Sequence, residues 1–262
     1  MVTTNERQTV LITSPLEPEL IDSLRAVAPD RVELIADESI WPPQRYVADH
    51  HGPPDFTLPA DAAARYRDYL QRATILWDFP ELLLAESSFA ELAPNVRWVQ
   101  TTSAGVGQFV ARLGLVESDL IVTTSSGVHA NALAEFVMLC LLSHVKLLPM
   151  LQADQHAHRW ERFCSDTLEG KTLAIVGPGR IGRQIARTAH AFDMRVIGLA
   201  RDARPERAAS LGLDELFDRA HLHEMLSQAD AVVVSTPHTP ETDNLIDRAA
   251  FEAMKAGVMF VN

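Results

Sequence analysis

Apolar positions along this chain fall into two alternating patterns. Short β-branched or leucine-rich runs alternate with stretches whose apolar residues recur every three or four positions. Residues 9–13 read as a first strand, closed by Ser14-Pro15. Leu20, Leu24 and Val27 place a helix over 19–27 that stops before Pro29, and 31–35 read as a second strand. The same pattern predicts helices at 61–71 and 82–92, the latter ended by Pro94, with strands at 74–77, 96–100 and 121–124. Residues 41–59, rich in Pro, His and Asp and without a period, read as a loop over one edge of this unit. Strand, helix and strand at this spacing are the grammar of α/β layers around a parallel sheet.

Ser125-Ser126-Gly127 reads as a hinge, after which the pattern changes. Residues 130–148 are apolar nearly all round, which predicts one long buried helix between domains or at a subunit interface. Ser126 or Asn131 would cap it and Pro149 close it. Residues 154–167, charged and carrying Trp160 and Phe163, read as an arm packed on a second subunit. A further α/β series starts at Thr172, with strands at 172–176, 195–199, 216–217, 231–235 and 258–261. Helices at 181–192, 205–211, 221–228 and 249–254 connect them. The expected division is residues 1–126 and 127–262.

Within that series lies Gly177-Pro178-Gly179-Arg180-Ile181-Gly182, between a buried strand and a helical pattern. Strand, Gly-x-Gly-x-x-Gly and helix are the order that a dinucleotide-binding turn requires. The first glycine makes the turn, the second lets the backbone approach a pyrophosphate, and the third packs helix on strand. The phosphates would rest on free amides at the positive end of the helix.

Charge removes other partners. With 23 basic and 35 acidic side chains the net charge is −12, and no Lys/Arg block stands out, which argues against nucleic acid or an anionic membrane. The longest apolar stretch, 132–142, contains Glu135 and is too short for a bilayer. Met1 to Gln8 is polar and has no signal-peptide core. Cys140, read as a small buried thiol, and Cys164 make no disulfide or zinc pattern, so a cytoplasmic setting and no metal are expected. His156, His158, His221 and His223 lie on polar patterns and read as solvated, and His238 as a loop residue.

Four segments together resemble the D-isomer-specific 2-hydroxyacid dehydrogenases. They are Ser103-Ala104-Gly105-Val106 after a strand; Gly127-Val128-His129 leading to Ala134-Glu135; the glycine turn at 177–182; and Ser235-Thr236-Pro237 with Thr239-Pro240-Glu241-Thr242, followed by Met254-Lys255-Ala256-Gly257 and Phe260-Val261-Asn262. The resemblance implies an α/β fold: a Rossmann-type doubly wound parallel sheet plus a flavodoxin-like α/β substrate domain, both incomplete at the C-terminus. It implies hydride transfer between nicotinamide and a small 2-oxo or 2-hydroxy acid; the apolar helix and the aromatic arm point to a homodimer. Ala104 and Gly105 would bind the substrate carboxylate through backbone amides, as an anion nest does. The alternative for Gly105 is a turn that needs glycine for steric reasons.

Counting along the family pattern puts Ala200 where NAD enzymes carry an acid for the ribose, followed by Arg201. Loss of the carboxylate, with Arg201 and Arg204 able to fork onto a 2′-phosphate, favours NADP(H). Asp202, one register away, keeps NAD(H) as the alternative. Thr236, Pro237 and Thr242 would line the nicotinamide and pyrophosphate side. The Ala200-Arg201 pair and the Pro237-His238-Thr239-Pro240 loop look most like the glyoxylate/hydroxypyruvate reductase branch. The family's catalytic Arg, Glu and His follow the position of Asn262, so no catalytic residue is expected within these 262. The expectation is a fragment of a longer enzyme or a nucleotide-binding relative without catalysis.

Overall fold

Runs of Val, Ile and Leu without polar alternation need cover on both faces, and parallel sheets with helices on each side supply it. The computed structural model describes residues 7–262; Met1–Glu6, most of the polar N-terminal stretch, lie outside the described residues. Two units form, Met1–Ser125 and Ser126–Asn262.

The first unit contains β1 (Gln8–Ile12), α1 (Pro18–Val27), β2 (Val32–Ile35), α2 (Ala60–Arg72), β3 (Ile75–Trp77), α3 (Phe89–Leu92), β4 (Trp98–Thr101), α4 (Gly107–Arg112) and β5 (Ile121–Thr124). Its five parallel strands lie in the order β2-β1-β3-β4-β5, the flavodoxin-like arrangement. Leu11, Ile12, Leu76 and Val99 from the strands pack with Tyr66 and Leu70 of α2 in a fully buried core. Each such leucine or isoleucine contributes about 1.5–3 kcal/mol by leaving water.

The helix expected over 82–92 is only α3. Residues 81–86 turn irregularly to bury Leu83, and Ser88 then starts the helix afresh. Its hydroxyl accepts from the Glu91 amide while the Glu91 carboxylate accepts from the Ser88 amide, a capping box. The Pro-rich loop is held by its own polar groups. Trp41 is buried and its Nε1–H donates to the Ile12 carbonyl at 2.9 Å. Asp49, 1% exposed, receives Arg45 Nε at 2.7 Å and Nη2 at 3.0 Å, plus the amides of Arg45, His51 and Gly52. The Arg45 guanidinium holds the Asp49 carboxyl well below the usual carboxylate range.

In the second unit, α5 (Ala130–Val145) and α6 (Leu148–His156) precede β6 (Thr172–Val176), α7 (Arg180–His190), β7 (Arg195–Leu199), α8 (Pro205–Leu211), β8 (Glu215–Phe217), α9 (Leu222–Gln228), β9 (Ala231–Val234), α10 (Arg248–Glu252) and β10 (Met259–Val261). The parallel strand order is β10-β9-β6-β7-β8. Counted within the unit this is 3-2-1-4-5 read from β8, the dinucleotide-binding order with its crossing point beside β6. Ala134, Val137 and Met138 of α5 pack with Ile185, Ala186 and Ala189 of α7 against the sheet.

The single helix expected over 130–148 is two. Leu147 takes a left-handed conformation (φ 55°) that ends α5, and Pro149 sits in the first turn of α6, where its missing N–H costs nothing. Pro149 therefore starts a helix instead of stopping one. The expected caps also differ: His129 occupies the N-cap of α5, without a side-chain bond. One face of α5 is buried, but Leu133, Phe136 and Leu139 are exposed, and Cys140 is only half-buried. Among the described residues no single helix is long and apolar enough to cross a membrane; α5 and α6 meet that test only together, across a 65° bend.

All three lysines of the chain gather at the amino ends of β6, β9 and β10. Lys171 Nζ lies 2.6 Å from an Asp166 carboxylate oxygen and Lys255 Nζ 2.8 Å from Asp230, while Lys146 Nζ donates to the Asp166 carbonyl.

Candidate functional site

The glycine turn begins where β6 ends, and its three glycines meet different surroundings. Gly177 has φ +87°, and an added Cβ would lie 2.5 Å from Thr236 Cγ2 and 3.1 Å from the Thr236 backbone. Ser235 Oγ donates to the Gly177 carbonyl at 2.8 Å, which ties the turn to the end of β9. A Cβ on Gly182 would sit 3.0 Å from both the Gly177 carbonyl and Ile175 Cγ2, so α7 rests directly on β6. Gly179 is unlike either: its φ of −75° suits any residue, and an added Cβ would meet nothing within 4 Å. The fold leaves that space open. Gly179 is also the N-cap of α7, with no side-chain cap, and the amides of Arg180, Ile181 and Gly182 have no backbone acceptor among the described residues. Free amides at a positive helix end, behind an open glycine, suit a phosphate.

A cavity of about 330 Å³ opens over this turn, at the carboxyl ends of the strands. Gly177, Pro178 and Gly179 form its floor, and Leu199, Ala200 and Arg201 at the end of β7 form one wall. The opposite wall is the loop after β9, including Thr236, Pro237 and Thr242. Thr242 Oγ1 donates to the Pro237 carbonyl at 2.6 Å and accepts from the Thr239 amide at 2.8 Å, which fixes that loop's shape.

The other residues singled out from the sequence lie elsewhere. Arg180 folds beneath Gly127 and donates to the Ser126 carbonyl at 2.6 Å; Ile181 packs in the core below. Arg204 turns onto Asp202, with Nε at 3.0 Å and Nη2 at 2.8 Å, and Arg207 adds Nη1 at 3.3 Å. The Arg204 fork lowers the Asp202 carboxyl to about 2. The charge of Asp202 is thus balanced within its own loop.

Two cavity arginines escaped the sequence reading. Arg207 comes from the first turn of α8, and Arg219 from a short 3-10 turn, Arg219–His221, just past β8. Asp218 caps that turn by accepting the His221 amide, and Arg219 Nη1 donates to the Glu241 carbonyl at 2.6 Å. Glu241 also lines the cavity; its carboxyl is lowered first by the Thr239 hydroxyl, with Arg201 and Arg219 adding to the effect. The signal for Arg219 was its place just beyond a strand's carboxyl end, where α/β crevices open. His238 lies 3.1 Å from Asp243 and His221 2.7 Å from Asp218, while His156 contacts the Gln152 carbonyl. Among the described residues, no cluster of three or more His, Cys, Asp or Glu is placed to hold a metal.

The first unit has its own cavity, about 260 Å³, at the carboxyl ends of β1, β3 and β4. Asp78 is its brace. In a left-handed conformation (φ 64°) that Asp tolerates better than most residues, it accepts the Thr102 amide at 2.7 Å, the Thr102 hydroxyl at 2.8 Å and the Ser14 hydroxyl at 2.9 Å. Thr101 Oγ1 closes the following turn on the Ser103 carbonyl at 2.7 Å. Gly105 lines this cavity and Ala104 does not. An added Cβ on Gly105 would meet nothing within 4 Å, so steric need does not explain the glycine. Among the described residues, the amides of Ser103, Ala104, Gly105 and Val106 have no backbone acceptor, which leaves a turn of free donors.

Comparison with known proteins places both units. Residues 138–262 match the family described as D-isomer specific 2-hydroxyacid dehydrogenase, NAD binding domain. D-3-phosphoglycerate dehydrogenase of Mycobacterium tuberculosis is 33% identical over 173 residues, 65% of this chain and 32% of that protein. The match thus spans about a third of such relatives. A D-isomer specific 2-hydroxyacid dehydrogenase family protein from Aeromonas salmonicida is 25% identical with a TM-score of 0.76, over 97% of this chain and 72% of that one. An NADPH-dependent glyoxylate/hydroxypyruvate reductase from Sinorhizobium meliloti, solved with NADP and sulfate, shares the fold at 20% identity and a TM-score of 0.64, over 95% and 68%. With the strand order, the glycine turn and its cavity, these likenesses identify residues 138–262 as an NAD-binding domain of the D-isomer specific 2-hydroxyacid dehydrogenase family.

Proposed function

We propose that the second unit binds NADP(H) and that the protein serves reversible hydride transfer between the nicotinamide and a small 2-oxo or 2-hydroxy acid of the glyoxylate or hydroxypyruvate kind. The observation that carries the nucleotide reading is the space over Gly179, which the fold itself does not need, beside the uncapped amides of α7. Gly177, Pro178 and Gly179 would hold the diphosphate, and Thr236, Pro237 and Thr242 the nicotinamide side. Bound nicotinamide supplies the hydride chemistry. In the first unit, the free amides around Ala104 and Gly105 would hold the acid's carboxylate.

The choice of NADP(H) over NAD(H) rests on the rim of the cavity. Ala200 offers no carboxylate to repel a 2′-phosphate, and Arg201, Arg207 and Arg219 face the space. Asp202, the residue that would favour NAD(H), is already satisfied by Arg204 and Arg207. Arg204 is thus assigned to neutralising Asp202, and Arg201 with Arg219 to the phosphate. Fluorescence titration tests this: NADPH should bind more tightly than NADH, and Arg201→Ala should weaken NADPH by about tenfold while sparing NADH. Equal or tighter NADH binding, with no effect of Arg201→Ala, would refute it. Among the described residues no imidazole lines this cavity; Gly177, Pro178, Gly179, Arg201 and Arg219 bind and orient the nucleotide, and the acid–base pair is assigned to none of them.

The exposed face of α5, with Leu133, Phe136 and Leu139, would be covered by a second copy in a cytoplasmic homodimer. Light scattering on the eluting protein tests this: Phe136→Glu should shift the mass from dimer to monomer.

A further inference from the structure

Two features of the first unit's cavity point to the tail of the acid it takes. One is His50. Asp49 gathers the loop around it, and His50 Nδ1 lies 3.1 Å from the Pro15 carbonyl. A carbonyl only accepts, so Nδ1 carries the hydrogen and Nε2 is the one ring nitrogen that can accept. Nε2 has no partner among the described residues, and the ring lines the cavity. The nearby hydroxyls of Ser14 and Thr102 already donate to Asp78. A hydroxyl on the ligand would supply the hydrogen that His50 lacks.

The other feature is charge. The cavity wall carries the carboxylates of Asp78 and Glu81, the latter 3.4 Å from His51, and among the described residues no Arg or Lys. One anionic group finds the amide turn at Ser103–Val106. A second, and above all a phosphate, would face acceptors and like charge with no guanidinium to pair with.

We propose that His50 is a specificity residue whose Nε2 accepts a hydrogen bond from a hydroxyl beside the oxo carbon, so that the cavity selects a 3-hydroxy-2-oxo acid and rejects its phosphorylated counterpart. This rests on the reading that the acid's carboxylate binds the amide turn. It also separates this chain from its phosphoglycerate dehydrogenase relatives, whose substrate carries a phosphate.

Calorimetry on the 262-residue chain at pH 8, with and without NADPH, decides it, using hydroxypyruvate, pyruvate and hydroxypyruvate phosphorylated on its hydroxyl. Hydroxypyruvate should bind about fivefold more tightly than pyruvate, the yield of one hydrogen bond, and the phosphorylated acid most weakly. His50→Leu should bring the hydroxypyruvate-to-pyruvate ratio to about one, and His50→Gln, which keeps an acceptor, should restore part of it. Tightest binding of the phosphorylated acid, or an unchanged ratio in a folded His50→Leu variant, would overturn the proposal. Should NADPH bind while none of the three acids does, the acid site and this inference fall and the nucleotide reading stands. Should the acids follow the predicted order without NADPH binding, the inference stands and the nucleotide reading falls.

Discussion

In the second unit the turn after β6 contains two glycines that the fold cannot replace and one that it can. In the first unit the turn after β4 contains Gly105, which the fold does not require at all. Both turns end interior strands of parallel sheets and both present amides without backbone acceptors. The contrast separates two reasons for glycine that a sequence cannot distinguish. Gly177 and Gly182 answer to neighbours inside the protein, whereas Gly179 and Gly105 face open space, where the proposed ligands would sit.

The sharpest way to break this contrast is Gly177→Ala. The substitution forces a left-handed alanine and drives its Cβ against Thr236, so a loss of about 2 kcal/mol or more in chemical denaturation is expected. Unchanged stability would show that the turn relaxes freely. Gly179→Ala should do the opposite: stability within about 0.5 kcal/mol of the parent, but NADPH affinity down roughly tenfold, since the methyl enters the phosphate's place. Gly105→Ala should likewise leave the melting temperature alone while weakening hydroxypyruvate severalfold in calorimetry; a stability loss with binding intact would restore the steric explanation.

The smallest effect concerns pH. Asp218 raises the pKa of His221 above 6.5, chiefly through their hydrogen bond, and the pair braces the turn that carries Arg219. A raised imidazole stabilises in full below 6.5 and loses that contribution as pH climbs through its folded value. The pair is exposed, so stability should change little. An NMR titration should show a His221 midpoint above 6.5 that falls in Asp218→Asn, and NADPH binding should weaken slightly over the same range.

Much of the scaffold was legible because parallel strands buried on both faces leave an uninterrupted apolar signature, as in Thr172–Val176, where all five residues are buried. Helix boundaries were less so. Pro149 reads equally well as a stop and as a first-turn residue, and what decided between them was the left-handed turn at Leu147, a backbone event with no residue-type marker. The glycine motif was legible with its order and spacing. The arginine rim was only half so. Arg204 stood in the right place along the chain, yet Asp202, two residues earlier, claims its fork. Arg219 reaches the cavity from a strand end nearly forty residues beyond the motif, a closeness that exists only in three dimensions.

The lysines at the amino ends of β6, β9 and β10 have a practical counterpart at the other edge of the same sheet, where, among the described residues, every cation lining the proposed nucleotide cavity is an arginine. Reagents that acylate lysine side chains would decorate one edge of the second unit and pass over the cavity. A fluorophore or a sensor surface joined through those amines would leave the nucleotide's entrance clear, so cofactor exchange can be followed on an immobilised protein.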